Sequence, residues 1–254
     1  MPTGVAFGID LAWGPKRRTG VAVLDDSGQL LASASVVSDD AIVAFTEHHR
    51  GDGIVVAVDA PLVVPNESGR RDCEAELSRD FARFHAGTHP SNRSRPWFRP
   101  EPRGARLAVR LGLDLDPTVR PGANSDVAIE VYPHPAMVSL FELERVIPYK
   151  AKRGRDLESL RAAFRTLFDH METTLGPVLR LDQSSRWSEL RNAVSLATKK
   201  SELRLVEDEV DAIFCAYLAR LWAVQADQMV VYGDVESGYI VTPHPPSARP
   251  SLSG

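Results

Sequence analysis

Gly53-Ile54-Val55-Val56-Ala57-Val58-Asp59 is a continuous apolar run closed by a carboxylate. A run without polar alternation reads as a strand buried on both faces, the usual state of a central strand in parallel pairing. Upstream, Gly4-Val5-Ala6-Phe7-Gly8-Ile9-Asp10-Leu11-Ala12-Trp13 reads as a first strand. After the loop Gly14-Pro15-Lys16-Arg17-Arg18, Thr19-Gly20-Val21-Ala22-Val23-Leu24 returns as a second. Asp25-Asp26-Ser27-Gly28 supplies a hairpin turn, because Asp and Gly accept the backbone angles such turns require. A third strand over 30–37 completes an antiparallel meander. Ser38-Asp39-Asp40 then caps a helix carrying Ile42, Val43 and Phe45. The order β-β-β-α-β, with the fourth strand parallel to the first, predicts a mixed five-stranded α/β sheet flanked by helices.

Downstream, residues 67–84 read as helix, and 127–132 as a strand stopped by Pro133. Helical patterns follow around 136–144, 156–175 and 188–197, and a long helix over 203–223. Residues 229–232 and 239–241 are short strand candidates. Between 89 and 122 the chain turns rich in proline and arginine, and it is read as an irregular insertion. The reading is one domain over 1–242, followed by a disordered tail over 243–254.

Composition narrows the class. The 254 residues are 43% hydrophobic and 25% charged, as in ordinary globular proteins, and the formal net charge is −4. The chain as a whole is therefore not a polycation, though net charge says nothing about a local groove. No run approaches the roughly 18 apolar residues of a membrane helix. The start Met1-Pro2-Thr3-Gly4 lacks a signal-peptide pattern. Two cysteines, Cys73 and Cys215, give no disulfide framework or zinc knuckle. A cytoplasmic protein without a membrane partner is the expectation.

Carboxylates occur where burial should discourage them. Asp10 and Asp59 end apolar runs, and Glu130 lies inside Val127-Ala128-Ile129-Glu130-Val131. Asp208 and Asp211 lie one turn apart on the last helix, beside the stripe Val206, Val210, Ile213, Phe214, Tyr217, Leu218, Leu221. Desolvating such groups is costly unless a cation compensates them. Parallel strands ending at one sheet edge would bring Asp10 and Asp59 together, and a divalent ion would reverse their repulsion.

The ordered set Gly8-Ile9-Asp10, Val58-Asp59-Ala60-Pro61-Leu62, Arg71-Asp72-Cys73-Glu74, Glu130-Val131-Tyr132-Pro133 and Asp208-Glu209-Val210-Asp211-Ala212 resembles the predicted ribonuclease H-like nucleases grouped as domain of unknown function 429. The resemblance covers nearly the whole chain apart from the arginine-rich segment and the tail. It implies a ribonuclease H-like fold with Asp10, Asp59 and Asp211 as metal ligands and Asp208 as a fourth. The Asp-x-x-Asp followed by Ala is similar to the late-helix motif of Holliday-junction resolvases. Glu130 belongs to the matched Glu-Val-Tyr-Pro motif, as a ligand or as a brace. The implied activity is hydrolysis of a phosphodiester in DNA or RNA by two Mg²⁺ or Mn²⁺ ions about 3.5–4 Å apart. Oxygen-only ligands favour those hard ions over Zn²⁺.

Accessory residues carry weaker signals. Arg93 and Arg95, with Arg71 and Lys150, are candidate phosphate contacts; the alternative for each is a solvated charge. Trp97 and Phe98 are candidates for stacking on bases, or for anchoring a loop. His85, His89 and His134 are potential bases, more often surface or loop residues. Cys73, flanked by Arg70 and Arg71, is a candidate for a depressed pKa. Two rival functions stay open: a non-catalytic scaffold binding nucleic acid or protein, and an actin-like ATP phosphotransferase. The latter is suggested by Gly-x-Asp followed by Thr19-Gly20, but the chain lacks a second Gly-rich phosphate segment.

Overall fold

The computed structural model describes residues 4–14, 17–51, 53–119 and 125–246. Arg120, Pro121, the loop residues Pro15 and Lys16, and residues 247–254 of the expected tail lie outside the described residues. Five strands, β1 (Val5–Asp10), β2 (Thr19–Leu24), β3 (Leu30–Val36), β4 (Ile54–Val58) and β5 (Val127–Glu130), form one sheet in the order β3-β2-β1-β4-β5. β1 pairs antiparallel with β2, and β2 with β3, whereas β4 is parallel to both β1 and β5. This is the mixed sheet that the opening residues predict. No helix among the described residues is long and apolar enough to cross a membrane.

Side chains alternate across the sheet. Ala6, Val55, Ala57, Val127 and Ile129 face a core built with α5 (Leu157–His170), α7 (Ser185–Leu196) and α8 (Lys200–Val224). Phe7, Ile9, Val56, Val58 and Ala128 face the other way, against α1 (Asp39–His49) and α3 (Arg103–Leu111). Burying each such Phe, Ile or Val contributes about 1.5–3 kcal/mol.

Two glycines decide how close α8 comes. A Cβ at Gly8 would stand 2.0 Å from the Ala212 carbonyl oxygen, and one at Gly20 would stand 1.7 Å from that of Asp208. Only a bare backbone on β1 and β2 lets α8 lie directly on the sheet. The helix turn carrying Asp208 and Asp211 is thereby lowered onto the strand ends.

The arginine-rich segment is not irregular throughout. Pro102 precedes α3, and Gly112 ends it at φ 67°, the left-handed stop that suits glycine. Leu107, Ala108 and Leu111 pack on the sheet. The density of Arg103, Arg106 and Arg110 obscured this apolar spacing. Elsewhere α4 runs Pro133–Leu140, with proline in its first turn. Val131 and Tyr132 lie beyond β5, with Val131 bridging Val241. The helix expected over 156–175 ends as α5 at His170 and passes through a π-turn into the short α6 (Gly176–Leu179).

β6 (Met229–Asp234) and β7 (Gly238–Pro243) make a separate hairpin. The hairpin packs with α2 (Asp72–Phe81) through Cys73, Leu77, Phe81, Tyr232 and Ile240. Order therefore extends past the expected domain end: Pro243 closes β7, and the His244 amide donates to the Gln228 carbonyl.

Candidate active site: a carboxylate cluster around Lys150

Ile9 pairs with Val58 in parallel register, and the Asp59 amide donates to the Ile9 carbonyl at 2.8 Å. Asp10 and Asp59 thus leave neighbouring strands at one level, on the α8 side. Asp211 is fully buried beneath them, and Asp208 is partly exposed one turn away. Asp10 interacts electrostatically with Asp59, Asp208 and Asp211, and Asp59 with Asp211. Four of the carboxylates singled out by sequence therefore converge.

A fifth acid joins them: Glu207, one helical turn before Asp211, which sequence reasoning missed. The i,i+4 spacing to Asp211 was its available signal.

Lys150 stands among these acids. Its Nζ lies 2.6 Å from Asp211 Oδ2, while the Tyr149 hydroxyl donates to Asp211 Oδ1 at 2.6 Å. Lys150 was read as a phosphate contact; here it is the counter-ion of the cluster. Burial acts to lower its pKa, but Asp211, Tyr149, Asp10 and Asp59 raise it well above the usual lysine value. It is a cation at neutral pH.

One ammonium does not offset five acids. Burial, then repulsion from Asp211, Asp59 and Asp208, pushes Asp10 well above the carboxylate range, with Lys150 opposing. Asp59 is raised to about 7, first by burial and then by Asp211 and Glu130, again against Lys150. Glu207 rises to about 7 and Asp208 to about 6, both through burial and then Asp211.

These shifts have a consequence for stability. Groups whose pKa is raised on folding bind more protons folded than unfolded, so they stabilise the fold at low pH and lose that contribution as pH climbs through the raised value. His134 acts oppositely, because burial and then Lys150 hold it down to about 3; its effect is confined to pH below about 6.5, the ordinary histidine value. Between about pH 6.5 and 8 the acids act alone. The metal-free protein is therefore expected to melt several degrees higher at pH 6.5 than at pH 8. Calorimetry in EDTA checks this, and a flat profile would contradict the crowding of charge.

Glu130 and Arg71 form a braced pair beside the cluster, lining the same cleft as Asp59. Val58 pairs with Glu130, so Glu130 shares the face of Val58 and Ile9, opposite to Asp59 in strand parity. There it accepts from the Leu62 amide at 2.8 Å and from Arg71 Nη1 at 2.9 Å, with Nη2 on its other oxygen. Arg71 also reaches Glu74 through Nε and the Val63 carbonyl through Nη1, both at 3.0 Å. All three of its side chain nitrogens are engaged and the side chain is 1% exposed. Arg71 is a buried brace whose main partner is Glu130, and Glu130 adds its charge to the acids around Asp59.

The remaining candidates separate too. Arg93 pairs with Glu67 at 3.7 Å and its guanidinium reaches the Pro100 carbonyl. No contact joins Arg93 or Arg95 to the acids among the described residues. Phe98 is buried as an anchor, whereas Trp97 is exposed. Burial lifts the Cys73 thiol to about 12 despite Arg71, the reverse of the reactive cysteine its neighbours suggested. Cys215 is buried and free. His134 is not on a loop but on α4, with its ring 6.1 Å from that of Tyr149.

The donor set suits a hard divalent cation in its chemistry: oxygen ligands only and an excess of negative charge. Its present disposition does not. Among the described residues, no three His, Cys, Asp or Glu side chains are arranged to hold one metal ion. Lys150 takes the Asp211 oxygen an ion would use.

The fold and site define a mixed-sheet α/β protein with a half-buried carboxylate cluster at the carboxyl ends of β1 and β4. Over residues 8–237 the chain matches the family described as Protein of unknown function (DUF429), and it belongs to that family. No curated protein and no solved structure matches it.

Proposed function

We propose that this chain is a divalent-cation-dependent phosphodiester hydrolase acting on nucleic acid, with Asp10, Asp59 and Asp211 as the principal ligands of Mg²⁺ or Mn²⁺ and Asp208 as a further one. The observation that carries the reading is the convergence of acids from β1, the end of β4 and α8 at one sheet edge around the Lys150 ammonium. Bound ions would activate a water and stabilise the leaving oxygen of the ester.

The chain's own residues do the rest. Tyr149 fixes the orientation of Asp211 by hydrogen bonding one oxygen. Lys150 neutralises Asp211 in the metal-free state and has to release it for an ion to bind. Once released, its ammonium is free to meet a phosphate oxygen, which keeps the sequence-based role as a second step. The two free buried cysteines fit a cytoplasmic setting.

The Lys150–Asp211 pair also favours a second reading, a scaffold whose acids are permanently neutralised and which binds nucleic acid without cutting it. A panel of single-stranded, duplex and branched DNA and RNA, incubated with Mn²⁺, Mg²⁺ or EDTA, separates the two. Cleavage with ions and none with EDTA is the expected result. Binding without cleavage under any ion would leave the scaffold.

A further inference from the structure

Two of the four tryptophans, Trp187 and Trp222, are buried, whereas Trp13 and Trp97 are 42% and 43% exposed. The exposed pair is not scattered. Their ring centroids are 5.9 Å apart at an interplanar angle of 44°, and Phe98, itself buried, lies 5.9 Å from Trp13. Large aromatic rings left side by side in water mark a binding surface more often than isolated exposed side chains do.

Their position is informative. Trp13 follows Asp10 by three residues and lines a cleft of about 450 Å³, counted with its open mouth, that also contains Asp59 and Tyr132. The same indole borders a second depression shared with Trp97 and Pro61. The aromatic surface therefore runs continuously outward from the acid cluster.

The surface is also held in place. Arg103, on α3, donates from Nη1 to the Ala12 carbonyl at 2.6 Å and from Nε to Asp39 at 2.7 Å, which fixes the chain on the near side of Trp13. Phe98 anchors the turn that carries Trp97.

Charge points to the ligand. Arg95 and Arg99 bracket Trp97 on the turn Pro96–Phe98, and Arg17 is exposed four residues after Trp13. Arg99 is paired with Glu67 at 2.9 Å, while Arg95 has no carboxylate partner among the described residues. Aromatic faces interleaved with guanidinium groups suit a strand with stacked bases and a phosphate backbone.

We propose that Trp13 and Trp97 form a stacking platform for an unpaired nucleobase whose strand leads its phosphate toward Asp59. The proposal rests on the nuclease reading and refines it. Because a base within a duplex offers no free face, the substrate class is single-stranded or locally unpaired nucleic acid rather than intact duplex.

Binding is measured in EDTA, so that no cleavage intervenes. Fluorescence anisotropy compares a labelled single-stranded oligonucleotide, as DNA and as RNA, with an abasic strand of equal length and with a duplex. The base-containing strand of at least one type is expected to bind about tenfold or more tightly than the abasic strand and the duplex. Trp13→Ala and Trp97→Ala should each lose about tenfold and shrink that difference, while Trp13→Phe keeps most of it. Melting curves show that each variant is folded.

Equal affinity for base-containing and abasic strands, or unchanged affinity in the alanine variants, overturns the platform. So does failure of the wild type to bind any strand. Mn²⁺-dependent cleavage of the abasic strand, which has no aromatic group to stack, reads the acid cluster separately. Its absence would sink the nuclease reading without touching a measured base dependence.

Discussion

Asp10→Asn is expected to lower Mn²⁺-dependent cleavage by about a thousandfold or more and, in the same protein, to raise the melting temperature of the metal-free form. Asparagine keeps the shape of the side chain but brings no charge to an ion, so loss of a ligand falls directly on the chemical step. The stability gain follows from the direction of the Asp10 pKa, which burial and the neighbouring acids raise well above normal. At neutral pH the unfolded chain holds this group ionised at no cost, whereas the folded chain must accommodate the charge against its surroundings. Removing the charge relieves that penalty, so the melting temperature of the metal-free form rises. A merely damaged fold would lose activity and stability together. Retained cleavage would remove Asp10 from the mechanism, and a lower melting temperature would contradict the electrostatic account of the cluster.

Arg71→Met should have the largest effect on stability. The substitution strands two buried carboxylates, Glu130 at 3% and Glu74 at 1% exposure, and removes the hydrogen bond to the Val63 carbonyl. Breaking one side of a buried ion pair costs about 3–5 kcal/mol, equivalent to a fall of about 6–20 °C. Adding Glu130→Gln should recover part of that loss, because the stranded charge, not the missing contact, supplies most of the penalty. Chemical denaturation of the two variants decides the matter. A loss below about 1 kcal/mol for Arg71→Met would show that water reaches these acids and that the brace is not one.

The sheet and the acid cluster were largely legible in the sequence, and for one reason. Val5–Asp10 and Ile54–Val58 with Asp59 combine buried apolar runs with terminal carboxylates, a pairing that packing alone does not favour. Glu130 carried the same local signal, but a strand acid alone does not reveal which face it occupies. The register with Val58 does, and it turns Glu130 toward Arg71.

Sequence offers Lys150 only as a candidate phosphate contact, since no periodicity links a loop lysine to an aspartate 61 residues later. The helix α3 was hidden by its arginines, although Pro102 and Gly112 mark its ends. Cys73 shows the converse error: adjacent arginines in sequence suggested a reactive thiol, while burial, which sequence neighbours do not report, outweighs them.

A crystal grown without metal and then soaked in Mn²⁺ tests the central claim most directly, because anomalous scattering locates the ions irrespective of turnover. The account predicts anomalous density ligated by oxygens of Asp10, Asp59 and Asp211, with Lys150 Nζ moved away from its 2.6 Å contact with Asp211. An intact Lys150–Asp211 pair with no density beside it at saturating Mn²⁺ would contradict it.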